Sequence, residues 1–183
     1  NGCFVVRQPC NVEIIVKATE DLATGDTVEV QFPHTWSLVT GPSYTRELQT
    51  TDPVAPHFIR VDAPATNARF KVEIRKRQLN LPSAEAMVRH GRVIIATLAE
   101  GSVPAGMAIH VLYANTYAPY VAETEEVWVR IKGIAPEIAP QLTVTPGPAE
   151  TLRILVPSGV EPGERFHVLI VSLDRFENRS CTR

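Results

Sequence analysis

The sequence is poor in the features that announce chemistry. It has no long hydrophobic run. The most apolar stretch, VIIATLA at 93–99, is far short of the ~20 residues a membrane-crossing helix needs, so membrane insertion is not expected. It lacks an excess of either charge: 18 basic and 20 acidic residues leave a formal net charge of −2. The electrostatic footprint of a nucleic-acid binder is therefore missing. Cysteine is sparse, and an odd number (Cys3, Cys10 and Cys181) argues against a complete disulfide framework. Cys3 and Cys10 flank the apolar Phe4-Val5-Val6 and stand either as a bridge or as two free thiols. No CxxC is present, and none of His34, His57, His90, His110 and His167 stands at HxH or HExxH spacing from another, so no metal is expected.

Catalytic signatures are missing as well. GxSxG is absent, and Ser43 (after Gly41-Pro42) and Ser158 (before Gly159) sit in turn contexts. No phosphate cradle occurs: GSVPAG at 101–106 lacks the lysine and the following helix of a P-loop. Glu123, Glu125 and Glu126 would hold calcium only with help from Asp21 or Asp26, and the ligand spacing of a calcium loop is absent. Arg75-Lys76-Arg77 is too short for an electrostatic docking patch and reads as a solvated strand end. No catalytic residue, cofactor or metal is assigned, and the chain is expected to be non-catalytic.

What is present is strand-like. Over 183 residues, 44% are hydrophobic and 21% charged, enough to fill a core without staples. Short alternating runs are cut by Pro, Gly, Asn and Asp. NVEIIVKA at 11–18 reads as a strand with a local irregularity, and TVEVQF at 27–32 puts Val28, Val30 and Phe32 on one face. Residues 69–75 turn Phe70, Val72 and Ile74 inward, and 92–98 suits a strand covered on both faces. Residues 107–113 alternate less cleanly, and 126–132 sets Val127, Val129 and Ile131 against Trp128 and Arg130. Leu152, Ile154 and Val156 point inward in 151–156, and 165–173 is a last apolar run. These segments predict an all-β fold, an immunoglobulin-like antiparallel β-sandwich.

Helix is scarce. Residues 83–90 (SAEAMVRH) read as two turns capped by Ser83, or as a loop between strands, and 41–56 as a long surface loop. The proline-broken IAPEIAP at 134–140 places a boundary near Pro140. The expected organisation is a sandwich over 1–140 and, over 141–183, the opening strands of a truncated second module. The remaining length is well below the ~100 residues of such a module. Those strands need to pair with the first domain or with another chain to avoid an open edge. The sequence opens on Asn1 rather than Met and is read as a processed or excised piece.

One cluster suggests recognition. Tyr113, Asn115, Tyr117 and Tyr120 fall within YANTYAPY, read as a loop, and Trp36 is placed to join them. Such rings either stack on a glycan or dock a neighbouring domain, or pack the edge of a sheet.

The whole chain carries a resemblance, best in its final third. Val144-Thr-Pro-Gly-Pro-Ala149, Val156-Pro-Ser158, Pro162-Gly-Glu-Arg-Phe166 and Asp174-Arg-Phe-Glu-Asn-Arg-Ser180 resemble the N-terminal region of a bacterial family catalogued as domain of unknown function thirty-six-oh-four. A similar cadence occurs in immunoglobulin-like repeats of bacterial adhesins. Glu177 departs from it, standing where the cadence has Gly; a turn needing positive φ there is strained by Glu. The resemblance implies an accessory sandwich preceding a metal-dependent hydrolase domain of the phosphoesterase type. Its partners would be that C-terminal hydrolase domain of the same polypeptide, or a second copy through exposed strands. A cell-surface module recognising glycan or protein is the other expectation.

Overall fold

A computed structural model of the chain describes residues 2–37, 48–76 and 92–180. Nearly every alternating stretch forms a strand: β1 (Gly2–Val5), β2 (Pro9–Lys17), β3 (Thr27–Gln31), β4 (Phe58–Asp62), β5 (Arg69–Lys76), β6 (Arg92–Glu100) and β7 (Ala108–Tyr117). They are followed by β8 (Thr124–Glu126), β9 (Trp128–Ile131), β10 (Gln141–Thr145), β11 (Thr151–Leu155) and β12 (Leu169–Leu173). A single helical turn, α1 (His34–Ser37), follows β3. The chain is all-β, a sandwich of antiparallel sheets, as the sequence implied.

One layer is the antiparallel sheet β2-β7-β4. The facing layer is β5-β6-β3-β9, continued by β1-β10-β8, because β8 and β9 are one run of chain parted only at Val127. β1 runs parallel to β10, and all other ladders are antiparallel. The two-residue period sorts the side chains. Val12, Ile14 and Val16 of β2 and Ile109, Val111 and Tyr113 of β7 face Val28 and Val30 of β3 and Ile94, Ala96 and Leu98 of β6 in one continuous core. Val127, Val129 and Ile131 are buried, whereas Trp128 is half-exposed under the Arg130 guanidinium at 5.0 Å. β6, expected to be covered on both faces, buries the successive residues Val93 and Ile94. Phe70, Val72 and Ile74 are only half-buried because β5 is an edge strand.

The irregularity expected in 11–18 lies on the partner strand instead: Val12 to Lys17 pair regularly, and the register shifts between Cys10 and Val12 because Ala114 and Asn115 of β7 oppose Asn11 alone. Asn115 takes the left-handed φ of 54° that Asn tolerates better than most residues. Its N–H donates to Asn11 Oδ1 at 2.8 Å, which closes the bulge.

Three expectations need correction. The boundary near Pro140 falls too early: β10 pairs with both β1 and β8, and its Leu142 and Val144 are core residues, so the sandwich extends through Thr145. The stretch 134–140 is a connection inside it. The tyrosine segment read as a loop is mostly strand, since β7 runs to Tyr117. Leu152, Ile154 and Val156, read as inward-facing, are exposed, because β11 pairs only with β12 and no described layer covers the pair. Ser43, Cys181 and the 83–90 segment lie outside the described residues.

Candidate interaction surface

The five residues singled out by sequence divide into three groups. Tyr113 and Trp36 are core residues, 1% and 2% exposed, and are closed to any partner. Tyr113 points inward because the period of β7 carries Ile109 and Val111 to the same face. Its hydroxyl and His57 Nδ1 share a hydrogen bond of 2.8 Å, and burial pushes the phenol up to about 12. Trp36 meets the edge of Phe4 at 5.1 Å, and its indole Nε1 has no hydrogen-bond partner among the described residues.

Asn115 is exposed, yet its amide is engaged: Nδ2 donates to the carbonyls of Pro53 and Ala55, both at 3.0 Å. It clamps the 53–56 turn onto β7. Only Tyr117 and Tyr120 keep open faces, at 52% and 40% exposure. Between them lies Arg7, held at the turn after β1 with φ 58°. Its guanidinium sits 5.3 Å from the Tyr117 ring centre and 4.3 Å from that of Tyr120, within cation–π range of both. Tyr117 also edges an open cleft of about 580 Å³ lined by Pro9, Cys10, Asn11, Pro56, Asn115 and Thr116. The Cys10 thiol in it is pushed up to about 11 by burial, only partly offset by a backbone hydrogen bond from Ala118, and is a poor nucleophile there. Cys3 and Cys10 are both free thiols.

Tyr120 also faces the second unit, meeting the edge of Phe176 at 5.2 Å. That unit, 146–180, is the β11/β12 hairpin with the turn that follows it. Both faces of the hairpin carry apolar side chains, although one of them also holds Thr151, Arg153, a half-buried Val171 and a buried Leu173. Leu152, Ile154 and Ile170 stand 69%, 60% and 60% exposed on one face, and Leu155 and Leu169 are about half-exposed on the other. Covering such side chains stabilises by about 1.5–3 kcal/mol each. The hairpin is therefore a surface with a strong drive to be covered.

The remaining readings resolve simply. Among the described residues no group of three or more His, Cys, Asp or Glu side chains is placed to hold a metal ion. Asp21 accepts the Ala105 N–H and Asp26 the Ala23 N–H, so neither supports the Glu123/Glu125 pair. Burial first, and then the Glu125 charge, raise the Glu123 pKa, while Glu125 accepts the Thr35 hydroxyl. His110 pairs with Glu13 across β7 and β2 at 2.8 Å, and Arg75 pairs with Glu73 at 2.7 Å. Among the described residues no helix is long and apolar enough to cross a membrane.

Sequence reasoning missed Arg7 and the polar turn after β12. Asp174 and Asn178 are the centre of that turn, and Asp174 is buried. Burial alone would raise its carboxyl pKa. Hydrogen bonds from the Asn178 side chain and from the N–H groups of Gly147, Asn178 and Phe176 outweigh burial and hold it below the ordinary carboxylate value. The available signal was the spacing itself: an Asp followed two and four residues later by groups whose N–H it accepts is an Asx-type turn. No family model, curated protein or solved structure matches the chain.

Proposed function

We propose that the chain is a non-catalytic accessory β-sandwich that packs against, and positions, a hydrolase domain of a larger bacterial protein. The observation that carries the reading is the β11/β12 hairpin, a two-stranded ribbon whose Leu152, Ile154 and Ile170, and whose Leu155 and Leu169 at its far end, no other described strand covers. An isolated hairpin is marginally stable in water and needs further strands or a packed layer. A partner that supplies that layer covers the side chains and satisfies the open edges together. The hydrolase identity comes from the family resemblance of 144–180.

The test is hydrogen exchange at the β11 and β12 amides, in this chain alone and in a polypeptide carrying the following domain. The amides exchange fast in the first and slowly in the second. Equal exchange in both removes the reading. Light scattering checks the other source of cover: a concentration-dependent dimer of the isolated chain would assign the hairpin to a second copy.

A second reading, a surface module that recognises glycan, is favoured by the Arg7-Tyr117-Tyr120 cluster beside the open cleft. Pyranose rings stack on exposed aromatic faces of this kind. A glycan array is blank under the accessory reading. Under the glycan reading it is positive and loses signal in Tyr117→Ala.

A further inference from the structure

We infer that the Asp174/Asn178 pair is a latch that fixes the orientation of the β11/β12 hairpin on the sandwich, so that this turn sets where a partner docked on the hairpin must lie. The inference rests on the accessory reading for the partner, but the latch itself is built from contacts within the chain.

Asp174 directly follows β12. One carboxylate oxygen accepts the N–H groups of Phe176 and Asn178 at 2.8 and 2.9 Å, which folds the turn back on itself. The other accepts the Gly147 N–H at 2.9 Å, in the connection that leaves the sandwich after β10. Asn178 then reaches the sandwich with both ends of its amide. Its Nδ2 donates to the Tyr120 carbonyl at 2.7 Å, and its Oδ1 accepts the Ala122 N–H at 2.9 Å. The same Nδ2 lies 3.0 Å from Asp174 Oδ2, joining the two side chains. Ser180 adds a hydroxyl bond to the Gly147 carbonyl at 2.7 Å and accepts the Ser172 hydroxyl on its own carbonyl. Phe176 closes the apolar side on Tyr120.

Three segments distant in sequence (the loop between β7 and β8, the connection at 147 and the turn at 174–180) are thus tied through two side chains. A buried carboxylate with its acceptor sites filled by fixed donors has one geometry, whereas a single apolar contact tolerates sliding. A hairpin reached only through the 146–150 connection would otherwise pivot. The turn is also held against local preference: Glu177 sits at φ 67°, a region an L side chain enters at a cost, and its carboxylate pairs with Arg153 of β11 at 3.2 Å.

Residual dipolar couplings on the isolated chain test the latch without any partner. In the wild type one alignment tensor fits the amides of the sandwich and of the hairpin together. In Asn178→Ala, and in the milder Asn178→Ser, two tensors are required while the sandwich resonances stay in place. A single tensor in both variants overturns the latch, and so does collapse of the sandwich spectrum, which would make the turn part of one cooperative core. Neither outcome touches the hydrogen-exchange comparison above, so failure of the latch and failure of the accessory reading are separable.

Discussion

In β7 of the sandwich, Ile109, Val111 and Tyr113 project on alternate positions into a filled interior; in β11 of the hairpin, Leu152 and Ile154 project on the same spacing into water. The local code is identical in the two regions. Alternation fixes that a segment is extended and that one set of side chains belongs together. It does not fix what lies opposite. The sandwich contains its own opposite layer, and among the described residues the hairpin has none, so the same pattern yields a core in the first region and an exposed apolar surface in the second.

The largest expected effect sharpens that contrast. Ile109→Ala, which opens a cavity in the sandwich, costs about 2–5 kcal/mol in urea unfolding. Ile154→Ala in the isolated chain stays within about 0.5 kcal/mol, as exposed sites do. Comparable losses at both sites would break the comparison and show the hairpin to be covered in solution. Acid probes the junction between the regions. Because the folded pKa of Asp174 lies below its ordinary value, its stabilisation is fully present above roughly pH 4. It is lost as pH falls through the lowered folded value. Melting curves read against pH have a shallower acid limb in Asp174→Asn than in the wild type; parallel limbs would remove Asp174 from the junction.

Glu177→Gly relieves the left-handed backbone and gains about 1 kcal/mol, read as a raised melting temperature, even with the exposed Arg153 pair lost. No gain would mean that the turn pays for its conformation through Arg153. The smallest effects separate the tyrosines. Tyr120→Ala loses its contact with Phe176 and costs about 1 kcal/mol. Tyr117→Ala changes stability by less than about 0.5 kcal/mol. Equal costs would show that the two rings share one structural role.

The sandwich was legible because its strands carry a clean binary pattern and its interruptions are true breakers. The irregularity read around Ile14 and Ile15 is not there: both sit in regular register with β7, and the bulge lies at Ala114 and Asn115 of β7, opposite Asn11. The domain boundary was misplaced for a physical reason: prolines at 136 and 140 break hydrogen-bonded structure whether or not a domain ends there, and the pairing of β10 with β1 spans almost the whole sandwich. Tyr113 and Tyr117 look equivalent in YANTYAPY, and only the bulge at Asn115 and the packing of β7 bury one and leave the other open. The departure at Glu177 was visible, but not its outcome: Glu in place of Gly left the turn type open, and the turn keeps the left-handed φ of 67° all the same. The latch partners Tyr120, Ala122 and Gly147 were not legible, because no local pattern encodes which distant carbonyl or N–H a side chain will meet.

The parallel pairing of β1 with β10 has a mechanical consequence. Their ladder joins Gly2 to Leu142 and Val5 to Thr145, reinforced by the Thr145 hydroxyl on the Phe4 carbonyl at 3.0 Å and by the Val6 N–H on the Thr145 carbonyl, also at 3.0 Å. Tension applied before β1 and after β10 pulls two same-direction strands past one another. Their hydrogen bonds then carry the load together rather than parting one after another like a zip. A sandwich clasped in this way resists stretching along its own chain.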